Sequence, residues 1–222
     1  MCGRNSLFPQ ASVVTNRFGA TFGAGVQYRP RYNIAPGAPL EVITNESPDT
    51  IHQFHWGLLP PWADDCDVGF VNACAESVSE SASFRAAWED RPCLVLTSGF
   101  YEWRESSTGW KRPIRIYREG DPAFALAGLW NRTTVGDSPV ESVTVLTTTH
   151  ASADSMPERM PVVLQPADER RWLRGGIEER RDICQSSLDA SLSSYEVHPC
   201  INDPIIDDAR LVRPNGIIRP HD

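Results

Sequence analysis

Apolar positions fall in short runs separated by proline- and glycine-rich breaks. Six runs alternate in polarity or concentrate β-branched and aromatic side chains, and they predict strands over residues 40–44, 51–58, 93–97, 114–117, 124–129 and 143–148. Helical spacing is rarer. Residues 81–89 (SASFRAAWE) place apolar side chains three and four apart, with Ser81 or Ser83 as the cap. Residues 167–173 follow Pro166 and open with Asp168 and Glu169, a favourable first turn, and residues 178–184 suggest a third helix. Strands do not alternate regularly with helices, so a dinucleotide-binding fold is not expected. The pattern predicts an α+β fold of mainly antiparallel strands, curled into a barrel, with a few short helices.

Composition narrows this picture. A length of 222 residues fits a single domain. No apolar run reaches membrane-spanning length, and the N-terminus lacks the apolar stretch of a signal peptide, so a cytoplasmic protein is expected. The six cysteines form no C-x-x-C pair, and Cys66 and Cys74 match no common zinc spacing. Net charge is −8, which alone argues against a nucleic-acid partner. The basic residues, however, are 20 Arg and a single Lys, Lys111. Arginine is suited to bidentate phosphate contact and to stacking on bases. An acid-rich, lysine-poor chain also fits a halophilic surface or a GC-rich genome.

The chain begins Met-Cys-Gly-Arg. Removal of Met1 would leave Cys2 with a free α-amine beside its thiol. The amine, with a reference pKa of about 7.7–8.0, is partly neutral near pH 7–8. It can add to an aldehyde as a Schiff base, which the thiol then closes to a five-membered thiazolidine. An N-terminal cysteine alone is weak evidence, and taken by itself it is better explained as a buried small residue.

Further motifs follow in order: Tyr32-Asn33-Ile34-Ala35-Pro36-Gly37; Trp56-Gly57-Leu58-Leu59-Pro60-Pro61-Trp62-Ala63; Asn72-Ala73-Cys74-Ala75-Glu76; Ser83-Phe84-Arg85; Arg91-Pro92-Cys93-Leu94-Val95; Gly99-Phe100-Tyr101-Glu102-Trp103; Thr147-Thr148; and Arg159-Met160-Pro161-Val162-Val163-Leu164, with Val197 and Asn202 beyond. This ordered set resembles the SOS response-associated peptidase family of abasic-site processing proteins, over residues 2–214. Members of that family remove their own initiator Met and use the exposed Cys to trap the aldehyde of an abasic site in single-stranded DNA.

The resemblance implies that Cys2 is the nucleophile, that Asn72 orients the N-terminus and the sugar, and that Glu102 is the catalytic carboxylate. Physical chemistry is compatible with this. Ring opening, imine formation and ring closure all move protons, and a carboxyl raised by partial burial can serve as both acid and base. Strand alternation places Tyr101 and Trp103 on one face and Glu102 on the other. That leaves both a solvent-facing and a site-facing Glu102 open. The candidate DNA contacts are Arg4, Asn33, Arg85 and Arg159, together with Trp56, Pro60, Pro61 and Trp62 as a wedge or stacking platform. Core packing is an equal reading for the tryptophans.

Three departures stand out. Pro157 occupies the position of a family histidine thought to assist sugar opening and crosslink reversal, and His150, seven residues upstream, is the candidate substitute. Cys74 replaces a common arginine two residues after the asparagine. The overall charge is acidic. The resemblance further implies a monomer without metal or organic cofactor. Its partner would be single-stranded DNA with abasic sites, with replication-fork proteins nearby and nucleoid association when on DNA. The alternatives are a cysteine-type peptidase acting on other proteins and a non-catalytic single-stranded nucleic-acid binding module.

Overall fold

The computed structural model describes residues 2–64, 69–105, 109–149, 157–186 and 192–215. In chain order, the first half forms β1 (Arg4–Leu7), α1 (Ala11–Phe18), β2 (Thr21–Phe22), β3 (Arg31–Ile34), β4 (Pro39–Thr44), β5 (Thr50–Trp56), β6 (Asn72–Cys74), α2 (Arg85–Asp90), β7 (Pro92–Thr97) and β8 (Gly99–Glu105). The second half forms β9 (Lys111–Tyr117), β10 (Phe124–Val135), β11 (Ser138–Thr149), β12 (Arg159–Pro161), α3 (Pro166–Arg174), α4 (Ile177–Ser186) and β13 (Ser193–Glu196), followed by two 3₁₀ turns, Pro199–Asn202 and Ala209–Val212. No helix among the described residues is long and apolar enough to cross a membrane.

Five strands close a ring. β11 pairs with β10, β10 with β7, β7 with β4 and β4 with β5, all antiparallel, and β5 returns to β11 in parallel. This is the expected barrel. A second, fully antiparallel sheet has the order β13-β9-β8-β1-β3. Alternation along β10 explains how the layers stack. Phe124, Leu126 and Trp130 belong to a core shared with Cys2, Phe100, Ile114 and Ile116 of the second sheet. Ala125, Ala127 and Leu129 belong instead to a core with Trp88 of α2, Trp172 and Leu173 of α3, and Ile183 of α4. A third, smaller cluster joins Tyr101 to Val197, Ile201 and Leu211, so the C-terminal turns cover the outer face of the second sheet.

Four tryptophans are fully buried: Trp56, Trp88, Trp130 and Trp172. Each contributes on the order of 3 kcal/mol of apolar burial. Three also donate their indole N–H, Trp56 to Val71 O (3.1 Å), Trp130 to Asn45 Oδ1 (3.1 Å) and Trp172 to Cys93 O (2.9 Å).

The six expected strands all form, and most run longer than the pattern indicates. Of the helices, α3 has Pro166 in its first turn, Asp168 and Glu169 beside it, and Arg171 and Arg174 in the last turn, an arrangement that complements the helix dipole. The helix expected from Ser81 begins later, at Arg85, with Phe84 at the cap position and no side-chain cap. Ser81 contributes its carbonyl instead, accepting from Arg85 N at 2.9 Å.

Candidate active site at the N-terminus

The site depends on how a polar strand comes to be buried. β1 lies between β3 and β8, with Arg4 opposite Tyr101, Asn5 opposite Phe100 and Ser6 opposite Gly99. Asn5 and Ser6 are enclosed, which requires partners for their polar atoms. Thr97 Oγ1 donates to Asn5 Oδ1 (2.6 Å), Asn5 Nδ2 to Leu96 O (3.4 Å), and Ser6 Oγ to Gly99 O (2.7 Å). These bonds fix the register of β1 and thereby the position of Cys2 immediately before it.

Cys2 is fully enclosed in the shared core. Asn72, the first residue of β6, donates from Nδ2 to Cys2 O at 2.8 Å. β6 is itself held parallel to β11, with Asn72 opposite Val145. The other side of the Asn72 amide, Oδ1, is buried and accepts no hydrogen bond among the described residues. Glu102 is only 4% exposed. Its strand settles the question of faces. Tyr101 packs in the outer cluster with Trp103 against it, whereas Phe100, two residues from Glu102, lies in the core that holds Cys2. Glu102 therefore faces inward.

Burial pushes the Glu102 carboxyl above its ordinary value. Burial, followed by the negative charge of Glu102, pushes the Cys2 thiol well up. The two groups are thus close enough to feel one another. Both hold their protons more tightly than in water, and the Asn72 amide that holds Cys2 O has an acceptor that no donor reaches among the described residues.

The remaining candidates separate into distinct settings. Trp56 is 1% exposed and belongs to the core, so no base can stack on it. Pro60 is buried, whereas Pro61 is exposed and Trp62 is 59% exposed. Gly57 and Gly69 hold that loop closed: a Cβ on Gly69 would lie 2.0 Å from Gly57 O, and Gly57 has φ +141°. Asn33 is buried, and its Nδ2 donates to Asp203 O (2.9 Å) and Ile206 O (2.8 Å), pinning the C-terminal segment. Arg4 donates to Asn33 Oδ1 (3.1 Å) and Asn202 O (3.0 Å) on that same outer face. Arg85 is exposed and donates to Ser79 O and Glu80 O, both at 3.2 Å.

Arg159 is a partner of Glu76, the last residue of the Asn72 motif, at 3.0 Å. Burial alone would raise the Glu76 carboxyl, but hydrogen bonds from Arg159 and Thr149 outweigh it and hold it at about 2. The sequence pattern by itself gives Glu76 no role. Its fourth-residue spacing from Asn72 was the only available signal. Cys74 is exposed, between Asn72 and Glu76. Pro157 lies just before β12, and His150 falls outside the described residues.

A model of the family described as SOS response associated peptidase matches residues 1–204. The chain is 33% identical over 222 residues to the abasic site processing protein YoqW of Bacillus subtilis (strain 168), covering 96% of this chain and 99% of that protein. It is 32% identical to the abasic site processing protein YoaM of the same organism, covering 96% and 97% respectively. Among solved structures, a protein from Bacteroides thetaiotaomicron shares the fold, with a TM-score of 0.81 at 24% identity over 96% of this chain and 99% of that one. Motif order, fold and relatives agree, and the chain belongs to the SOS response associated peptidase family.

Proposed function

We propose that this protein captures abasic sites in single-stranded DNA by forming a thiazolidine on Cys2 after removing its own Met1. The observation that carries the reading is the enclosure of Cys2 beside a raised carboxyl, with its backbone held by Asn72 at 2.8 Å. A buried structural cysteine has no need of such neighbours.

The protonation states order the steps. The Cys2 thiol is raised, so at neutral pH it is not the first nucleophile. Hydrolysis of the Met1–Cys2 peptide bond frees the α-amine, which attacks the sugar aldehyde. The resulting carbinolamine loses water to give the imine. The thiol sulfur then adds to the imine carbon, and its proton ends on nitrogen. Glu102, whose carboxyl burial raises above its ordinary value, donates to the departing oxygen in dehydration and takes up protons in the adjoining steps. Asn72 Oδ1, the unused acceptor, receives a hydrogen bond from the amine or a sugar hydroxyl. Trp62 and Pro61 offer the exposed stacking surface, and Arg85 and Arg159 the flanking cations.

The test is a denaturing gel. Protein whose Met1 removal is verified by intact mass is mixed with single-stranded DNA bearing one abasic site, alongside Cys2→Ala and Glu102→Ala. A heat-stable shifted band that requires Cys2 supports capture. Binding without any covalent product would instead favour a non-catalytic module.

A further inference from the structure

Charge around the turn between β9 and β10 is balanced pair by pair, with one exception. Asp121 pairs with both Arg17 (3.4 Å) and Arg118 (3.5 Å), and Glu169 pairs with Arg17 (2.7 Å). Arg115 on β9 is 5% exposed, yet no carboxylate pairs with it among the described residues. Its Nη2 donates to Ser98 O (2.6 Å) and its Nη1 to Tyr195 Oη (3.1 Å), and the Tyr101 hydroxyl faces it. Arg115 Nε is buried and finds no acceptor. The rings of Phe8 and Tyr117, 5.3 and 5.2 Å from the guanidinium, offset part of the cost of burying it. A buried cation among neutral neighbours still calls for a counter-ion.

The guanidinium also has a built seat. A Cβ on Gly99 would lie 2.7 Å from Arg115 Nη2, so the backbone there is kept bare to admit it. Arg115 stands opposite Tyr101 in the β8–β9 register, on the outer face of the second sheet. With Ser98 it forms the buried floor of a cleft of about 540 Å³, between the start of α1 and the β9–β10 turn. Phe8, Val13, Tyr117 and Pro122 supply apolar walls, and Val13 is exposed at the rim. Phe8 lies beyond the far end of β1 from Cys2, on the order of 20 Å along the strand, so the cleft is separate from the candidate active site.

We infer that this cleft binds an organic monoanion, its carboxylate on Arg115 and its apolar or aromatic group between Phe8, Val13 and Pro122. One unbalanced positive charge at the floor matches a single negative charge. The planar guanidinium suits the two oxygens of a carboxylate, and apolar walls around a few polar groups are the usual form of a small-ligand site. A free aromatic acid and the last residue of a protein chain share this chemistry. None of these residues belongs to the Cys2 site, so the inference is independent of the capture reading.

The experiment is isothermal titration of the full chain with N-acetyl-phenylalanine. Its Kd is expected on the order of 1 mM, ordinary for a ligand of this size. The neutral N-acetyl-phenylalanine amide should bind at least about ten-fold more weakly, since it lacks the charge-assisted bonds. Arg115→Gln should weaken the acid by a similar factor and leave the amide unaffected. A second pair of variants keeps the test decisive if Arg115→Gln fails to fold. Val13→Glu and Val13→Lys change only an exposed helical position, so melting temperatures should match wild type. Val13→Glu should bind the acid several-fold more weakly than Val13→Lys, by charge at the rim. An acetylated tripeptide ending in Phe that binds more tightly than N-acetyl-phenylalanine assigns the source to a protein C-terminus, and equal or weaker binding assigns it to a free acid. Equal affinity for acid and amide would overturn the site. So would equal affinity of the two Val13 variants for the acid, or no wild-type binding at about ten times the expected Kd.

Discussion

Burial acts on Glu102 and Cys2 in the same direction, raising both, and the proposed chemistry uses the two shifts differently. A carboxyl raised above its ordinary value still carries its proton where surface carboxylates have lost theirs, so the acid form persists to higher pH. Capture is expected to slow as pH climbs through that raised value. Glu102→Gln should remove this limb of the pH–rate profile and reduce the single-turnover rate by about 10²–10⁴-fold. The same shift bears on stability. The folded state prefers the neutral carboxyl, so its contribution is full below the ordinary carboxyl range and is lost as pH rises through the raised value. Glu102→Gln should therefore melt higher than wild type at neutral pH, by roughly 2–4 °C for each kcal/mol relieved, with the difference vanishing in acid. Asn72→Ala removes the side-chain donor that holds Cys2 O. It is expected to slow capture by about 10–100-fold, corresponding to the loss of one well-placed buried hydrogen bond.

At the level of elements, the loop from Leu58 to Phe70 is held by the close crossing of Gly57 and Gly69. Gly69→Ala puts a methyl group where Gly57 O already lies, and a loss of about 3 kcal/mol is expected from denaturant midpoints. Elements with long apolar or β-branched runs, such as β7, β10 and β11, were legible in the sequence because hydrophobic pattern alone specifies them. β1 was not. Its Asn5 and Ser6 look like surface residues, and they are buried only because Thr97 and backbone groups on β7 and β8 satisfy them across 91–93 residues of sequence. α1 was missed as well, since ASVVTNRF mixes β-branched and polar residues within eight positions. In the candidate site, Cys2, Asn72 and Glu102 were legible through motif order. Asn33 and Trp56 stand in motifs of the same kind, yet both are buried in the interior. A local motif does not reveal which face of a strand its residues occupy.

Across the whole molecule, acidity and the missing histidine set expectations for behaviour on DNA. Pro157 precedes β12 at the position where the sequence resemblance leads one to expect a histidine. A purified adduct chased with excess abasic competitor should therefore release slowly, and rapid release would count against that assignment. Phosphate contacts weaken steeply with salt, whereas the final yield of a covalent product does not depend on them. Endpoint crosslinking is accordingly expected to persist at salt concentrations that abolish noncovalent binding, as read by comparing gel yield with anisotropy. The seat of Cys2 has a mechanical consequence. In the proposed capture, DNA joined there would be anchored to a strand hydrogen-bonded on both sides, by β3 and by β8, in the interior of a sheet. A helicase or polymerase pulling on that DNA would load two ladders together instead of peeling an edge. Under force, such an adduct would behave as a tether as strong as the fold itself, and its clearance would begin with unfolding of the whole chain.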